Sequence, residues 1–308
     1  MRVVLLVFIG WWSLFLAACA TGTRSGAHAE ATVAPRDVRV FAGSDGSSVP
    51  WAGVVDAARH AEVVIVGENH GHPLGLASAA ALWDDLLASA PDAGLSLEFF
   101  ERDQQAGVDD YRLGLTDEAA FTKATGRTPG SYPAGHKAMV ESARAADRPV
   151  IAANAPRRYV RVARKDGFDA LRRLTPEQRR FFRLPDVVPE GRYRDDFIKL
   201  MTEGPGHGDP DPEARQKQAE EMFRSQSVWD WTMAQSVVDA LDAGAVPVLH
   251  VVGRFHSDFD GGLVQAVRLL RPGARVVTVS FVAEWSDALR DDDRERADFV
   301  VYAGPGPS

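Results

Sequence analysis

Apolar residues fall along this chain in two kinds of run. Val63-Val64-Ile65-Val66 is unbroken, β-branched and stops at Gly67. A run of that kind suits a strand buried on both faces, as in a parallel sheet. Residues 38–41, 95–97, 149–153, 246–252 and 276–279 read as further short strands. Between them, Ala- and Leu-rich or amphipathic stretches predict helices over 50–60, 74–90, 137–147 and 262–270. Strands alternating with helices imply βαβ crossovers. The expected fold is therefore α/β, a largely parallel β-sheet flanked by helices.

Two segments depart from this alternation. Residues 168–212 are charged, hold Pro176, Pro185, Pro189, Pro205, Pro210 and Pro212, and show little strand character. They read as a helical, Pro-rich insertion ending in a loop over 204–211. Residues 213–241 then predict one long helix. Ala219, Met222, Phe223, Gln226, Trp229, Met233, Val237 and Leu241 recur at three- and four-residue steps, a single stripe best explained by core packing.

The N-terminus carries a different pattern. Arg2 precedes an almost wholly apolar stretch over 3–18, shorter than the roughly 20 residues of a membrane span. It has the flanks of a secretory signal peptide. It ends in Leu16-Ala17-Ala18-Cys19, the form of a lipobox, and Cys19 is the only cysteine in the 308 residues. The chain is thus expected to be exported, with residues 1–18 removed, Cys19 lipidated, and 19–36 a small, polar tether. A single α/β domain over 37–308 follows, carried without disulfides. Outer-membrane attachment through the lipid is the expected location. The net charge of −8 makes nucleic acid a poor partner, since phosphates need a basic face.

Candidate chemistry gathers at strand ends. Residues 63–66 run into Gly67-Glu68-Asn69-His70, and residues 248–252 into Gly253-Arg254-Phe255-His256, so an apolar strand is twice followed by Gly-x-x-His. Ligands of open α/β sheets bind beyond the carboxyl ends of strands. Glu98 closes a third strand, and Asn154, Arg157 and Arg158 follow a fourth. Acids and imidazoles converging on one rim can bind a metal or transfer protons.

These segments resemble a known family. Val64-Ile65-Val66-Gly67-Glu68-Asn69-His70 looks like the opening motif of ChaN-like haem-binding lipoproteins, which share a superfamily with Tiki proteases and erythromycin-esterase-like proteins. Ser96-Leu97-Glu98-Phe99-Phe100, Asn154-Ala155-Pro156-Arg157-Arg158, the stretch from Gln226 to Ala234, and Val251-Val252-Gly253-Arg254-Phe255-His256 continue the resemblance in the family's order, over residues 38–282. It implies an α/β fold, haem binding through a tyrosine, and a role in iron and haem acquisition at the outer membrane. A homodimer sharing haem between exposed faces follows by analogy.

Two functions from different classes result. In a haem-binding lipoprotein, Phe99, Phe100, Phe255 and Trp229 would supply an apolar slot, and Arg157 or Arg158 would meet a propionate. Tyr159 and Tyr193 are the candidate iron ligands, with Arg192 and Arg194 favouring a Tyr193 phenolate. In a hydrolase, Glu68, His70, Glu98 and His256 would be catalytic. With a divalent metal, His70, His256 and Glu98 would be its ligands. No Gly-x-Ser-x-Gly elbow supports covalent catalysis.

Overall fold

The computed structural model describes residues 33–203 and 211–306. The expected signal peptide, Cys19, most of the tether and the stretch 204–210 lie outside the described residues. The strands are β1 (Arg39–Ala42), β2 (Ser48–Val49), β3 (Val63–Glu68), β4 (Gly94–Glu101), β5 (Val150–Asn154), β6 (Val248–Gly253), β7 (Val276–Val282) and β8 (Phe299–Tyr302). The helices are α1 (Trp51–His60), α2 (Pro73–Ser89), α3 (Gln105–Arg112), α4 (Glu118–Ala124), α5 (Ala134–Ala145), α6 (Arg157–Arg172), α7 (Pro176–Arg179), α8 (Arg192–Glu203), α9 (Pro212–Asp242) and α10 (Gly262–Leu270).

One sheet of order β2-β1-β8-β7-β3-β6-β4-β5 organises these elements. From β8 to β5 every pairing is parallel, and only β1 runs antiparallel to its two neighbours. The α/β, mostly parallel architecture is the one the hydrophobic runs predict. All six residues of β3 are buried, because the strand is covered on both sides. Val64 and Val66 pack with residues of α1, α2 and α5, whereas Val63 and Ile65 pack with α9 and α10. The period-two alternation of side chains feeds both layers from one apolar run.

The helical half differs in detail from the sequence expectation. Helical structure after β5 starts at Arg157, ahead of the expected 168, and α6 breaks at Gly167, whose φ of +76° suits glycine. Tyr159, Val160, Ala163, Leu171 and Phe182 form an apolar cluster against Val228 of α9. From Ser225 to Leu241, α9 is buried on nearly all sides and not along a single stripe. It is a central helix, packed by α6, α8, α10 and the sheet.

The end of the expected tether is already docked. Val33 packs on the core, and Arg36 pairs with Asp85 at 2.9 Å, which also accepts from the Trp51 indole at 2.8 Å. From Val33 onward the chain forms one unit. Among the described residues no helix is long and apolar enough to cross a membrane.

Two histidines serve this scaffold. His72 caps α2 by accepting from the Gly75 N–H at 3.0 Å, and its other ring nitrogen donates to the Gly304 carbonyl at 2.8 Å. His250 lies wholly inside β6, 2.8 Å from Ser96 Oγ, and burial pushes its pKa down to about 3. It is a neutral core residue.

Candidate functional site

Parallel pairing sets the two Gly-x-x-His turns at one height, since Glu68 of β3 is in register with Gly253 of β6. The turns then interlock. A Cβ on Gly67 would lie 2.7 Å from Ser257 Oγ and 2.9 Å from Arg254 Cβ, and one on Gly253 would lie 2.8 Å from His70 Nε2. Both glycines are required by close approach, because neither has a positive φ. A polar brace crosses the same junction. Arg254 Nε donates to Asn69 Oδ1 at 2.9 Å, and its Nη1 donates to Asp258 at 2.9 Å. Arg296 joins Asp258 from the other side.

Glu68 is the hub of one half of the site. It is 4% exposed and accepts from His70 Nδ1 and from His136 Nε2, each at 2.9 Å. A carboxylate acceptor requires N–H at both ring positions. Burial works against the Glu68 charge, but the two histidine donors hold its carboxyl below the usual range. The hydrogen bond to Glu68 raises the pKa of His70 above its ordinary value. The His70 side chain is 72% exposed and lines the site cavity, with its Nε2 close against Gly253.

His256 is the hub of the other half. Its Nδ1 donates to Asp230 Oδ1 at 2.6 Å, and its Nε2 stands 3.8 Å from Glu98 Oε1. Asp230 is fully buried on α9 and accepts from the Tyr193 hydroxyl at 2.7 Å. Burial opposes the His256 charge, yet Asp230 prevails and raises its pKa. Glu98 is fixed by the Gly253 N–H, which donates to its Oε2 at 2.6 Å.

The structure thus brings Glu68, His70, Glu98 and His256 to one rim. A cavity of about 280 Å³ opens there, with Phe99, Arg127, His136 and Arg157 on its walls. His136 and Asp230 were not singled out from the sequence. Both sit on helices, where the strand-end rule gives no signal. Among the described residues no three His, Cys, Asp or Glu side chains are grouped to hold a metal ion, and His70 and Glu98 already have partners.

The residues expected around a haem are more dispersed. Phe99 stacks on Tyr132, 5.5 Å between centroids, under the Arg127 guanidinium, and so walls the rim cavity. Phe255 joins Tyr193, Phe197 and Phe223 in an aromatic cluster beneath α8. Arg158 pairs with Asp103. Tyr159 is 7% exposed and packs on Phe182.

Tyr193, expected as a phenolate, is here a buried phenol that donates to Asp230. Tyr193 is 3% exposed; burial and the Asp230 charge push its pKa well above the ordinary value. Arg192 pairs with Asp196 and Arg194 with Glu220, so neither favours ionisation of the phenol.

A second opening, of about 670 Å³, lies between α6, α8 and α9. Val160, Phe197, Met201, Met222 and Trp229 give it an apolar lining. Arg157, Arg161 and Arg164 rim it from one face of α6, at the four- and three-residue steps that align side chains on a helix. Arg157 borders both openings.

Comparison with known proteins agrees with this architecture. The structure of Campylobacter jejuni ChaN, described as showing cofacial haem binding, superposes with a TM-score of 0.65 at 15% identity, covering 86% of this chain and 96% of that one. An erythromycin esterase mutant in an open conformation gives 0.44 at 12% identity, covering 86% and 83% of the two chains. A Bacillus cereus protein also gives 0.44 at 12%, covering 74% and 67%. No curated protein matches the chain. The family described as haem-binding uptake, Tiki superfamily, ChaN, matches residues 54–267, from α1 into α10. With well over half its length matched, this chain belongs to the ChaN family of haem-binding uptake proteins.

Proposed function

We propose that this protein binds haem in the groove between α6, α8 and α9 and serves haem or iron uptake outside the cytoplasm. One observation carries the reading. Arg157, Arg161 and Arg164 rim an apolar groove and form no ion pair among the described residues, although Arg158 beside them does. Haem offers the complement, an apolar plane with two carboxylates. The groove volume lies within the roughly 300–1,000 Å³ of small-ligand sites. The indole N–H of Trp229, on the groove wall, is buried without a partner among the described residues. The residues present therefore fit the group, which would supply iron as cargo.

Haemin titration followed at the Soret band tests this. Wild type should saturate. Arg161→Glu with Arg164→Glu should weaken affinity by about tenfold, from two ion pairs at roughly 0.2–1 kcal/mol each plus new repulsion. Unchanged affinity in the double variant would move the haem elsewhere. Export and anchoring belong to the same proposal. Cys19→Ser should release the protein from the membrane fraction with its domain folded, and tight retention would refute the anchor. Haem shared with a second copy would appear as haemin-dependent dimerisation in sedimentation.

A second reading is favoured by the rim. His70 lines an open cavity while its Nδ1 is held by Glu68, the arrangement of an oriented proton-transfer group. Hydrolysis of an ester or peptide that is lost in His70→Ala, with haemin binding intact, would establish it. Hydrolysis that survives His70→Ala would dismiss it.

A further inference from the structure

The chain holds five tyrosines, and none stands open to a ligand. Tyr111, Tyr132, Tyr159, Tyr193 and Tyr302 are each at most 9% exposed. Three of their hydroxyls donate to carboxylates: Tyr111 to Glu141, Tyr193 to Asp230, and Tyr302 to Asp293. The Tyr132 hydroxyl is buried without a partner, and burial disfavours its ionisation. Opening the Tyr193 phenol would also leave Asp230, fully buried, short of a donor. Among the described residues, neither a tyrosine nor a histidine lines the α6–α8–α9 groove.

Two thioethers do line it. Met222 lies on α9, one turn ahead of Ser225 and Gln226 and two turns ahead of Trp229, so that helical face looks across the groove to the α6 arginines. Met201 lies in the last turn of α8, on the opposite wall. Both are partly buried against the aromatic cluster of Tyr193, Phe197 and Phe223. The other polar side chains of the groove are less suited to iron. Ser225 Oγ is engaged with the Val160 carbonyl at 3.2 Å, Gln226 lies against His256, and the arginines carry no free lone pair. Methionine sulfur is an established axial donor to haem iron.

The geometry points to thioether ligation of haem in this chain, with Met222 as the iron ligand and Met201 as the second donor. The inference rests on the haem reading above. Met222 both lines the groove and packs on the aromatic cluster. A haem held by Arg157, Arg161 and Arg164 of α6 would share that groove with Met222 of α9. A thioether is neutral and soft, and it favours ferrous over ferric iron relative to a phenolate.

The test uses the full folded chain with haemin and two isosteric variants, Met222→Leu and Met201→Leu, which keep apolar bulk and remove only sulfur. Wild type saturated with haemin should show the near-infrared sulfur-to-iron charge-transfer band, and the reduction potential of its haem should be higher than that of Met222→Leu. Met222→Leu should still saturate in the Soret titration, with affinity reduced severalfold, and should lose the band. Met201→Leu should weaken the band or leave a mixed spectrum. Tyr193→Phe should change neither.

A saturable Soret shift without the near-infrared band, or a band that survives in the Met222→Leu, Met201→Leu double variant, overturns the thioether assignment and leaves haem binding standing. A phenolate-type spectrum abolished by Tyr193→Phe overturns it in favour of the tyrosine. No saturable Soret shift in wild type ends the haem reading, and the thioether assignment with it.

Discussion

Single side chains at the rim differ sharply in what they support. His70 is largely solvent-exposed, so His70→Ala should cost little stability. Glu68 is buried between two histidines, and removing it strands the buried His136, so Glu68→Ala should cost about 3–5 kcal/mol, as for one partner of a buried ion pair. Denaturant midpoints of the two variants would show the contrast. Glu68 also sets the His70 pKa. Glu68→Gln keeps the shape but removes the charge, and the His70 pKa should fall toward 6.5, read by NMR titration of its ring proton. The glycines behave unequally as well. A Cβ on Gly253 meets the end of an exposed imidazole that can turn aside, whereas one on Gly67 meets the Arg254 backbone at 3.0 Å. Gly67→Ala should therefore destabilise by about 1–3 kcal/mol and Gly253→Ala by less.

At the scale of elements, α9 joins the site to the core. It carries Asp230, which fixes His256 at the end of β6, and Trp231, whose ring packs in the core and whose indole donates to the Val187 carbonyl at 3.1 Å. Trp231→Ala should cost about 3–5 kcal/mol. The His256–Asp230 bond also makes stability depend on pH. The folded pKa of His256 is raised above 6.5, so its contribution is complete below that pH and is lost as pH rises through the raised value. Melting temperatures taken from about pH 6 to about pH 9 should fall in wild type, and the fall should shrink in Asp230→Asn. An equal fall in both would remove this pair as the cause.

Element positions were legible where burial is complete. β3 shows as an unbroken apolar run, β6 as one interrupted only by His250, and α10 as a short amphipathic helix at the bounds read from sequence. α3 and α4 escaped because they are short and polar, each burying one or two side chains. β8 escaped because Phe299 to Tyr302 follow a charged stretch that offers no turn or helix signal. The rim itself was readable, since β-strands announce their ends. His136 and Asp230 were not, because a helix that crosses behind a strand is placed by tertiary packing alone.

The whole molecule carries a net charge of −8, yet it presents at one groove three arginines that form no ion pair among the described residues. A cationic rim on an acidic body gives binding that salt should weaken. At about 1 M ionic strength the screening length is roughly 3 Å, against about 10 Å at 0.1 M. Haemin affinity should drop severalfold between those conditions in wild type and much less in the Arg161→Glu, Arg164→Glu variant, measured by Soret titration. Salt-independent affinity in wild type would mean that the arginines take no part.

The interlock of the two Gly-x-x-His turns has a kinetic consequence. Asn69 and Arg254 are tied to each other, and each turn occupies the space that a side chain on the other would need. Neither turn can then fluctuate outward alone, so the rim should open to solvent as a single cooperative unit. Amide hydrogens of the two turns, some 185 residues apart in the chain, should exchange with a common opening free energy. In Arg254→Ala that shared rate should split into two.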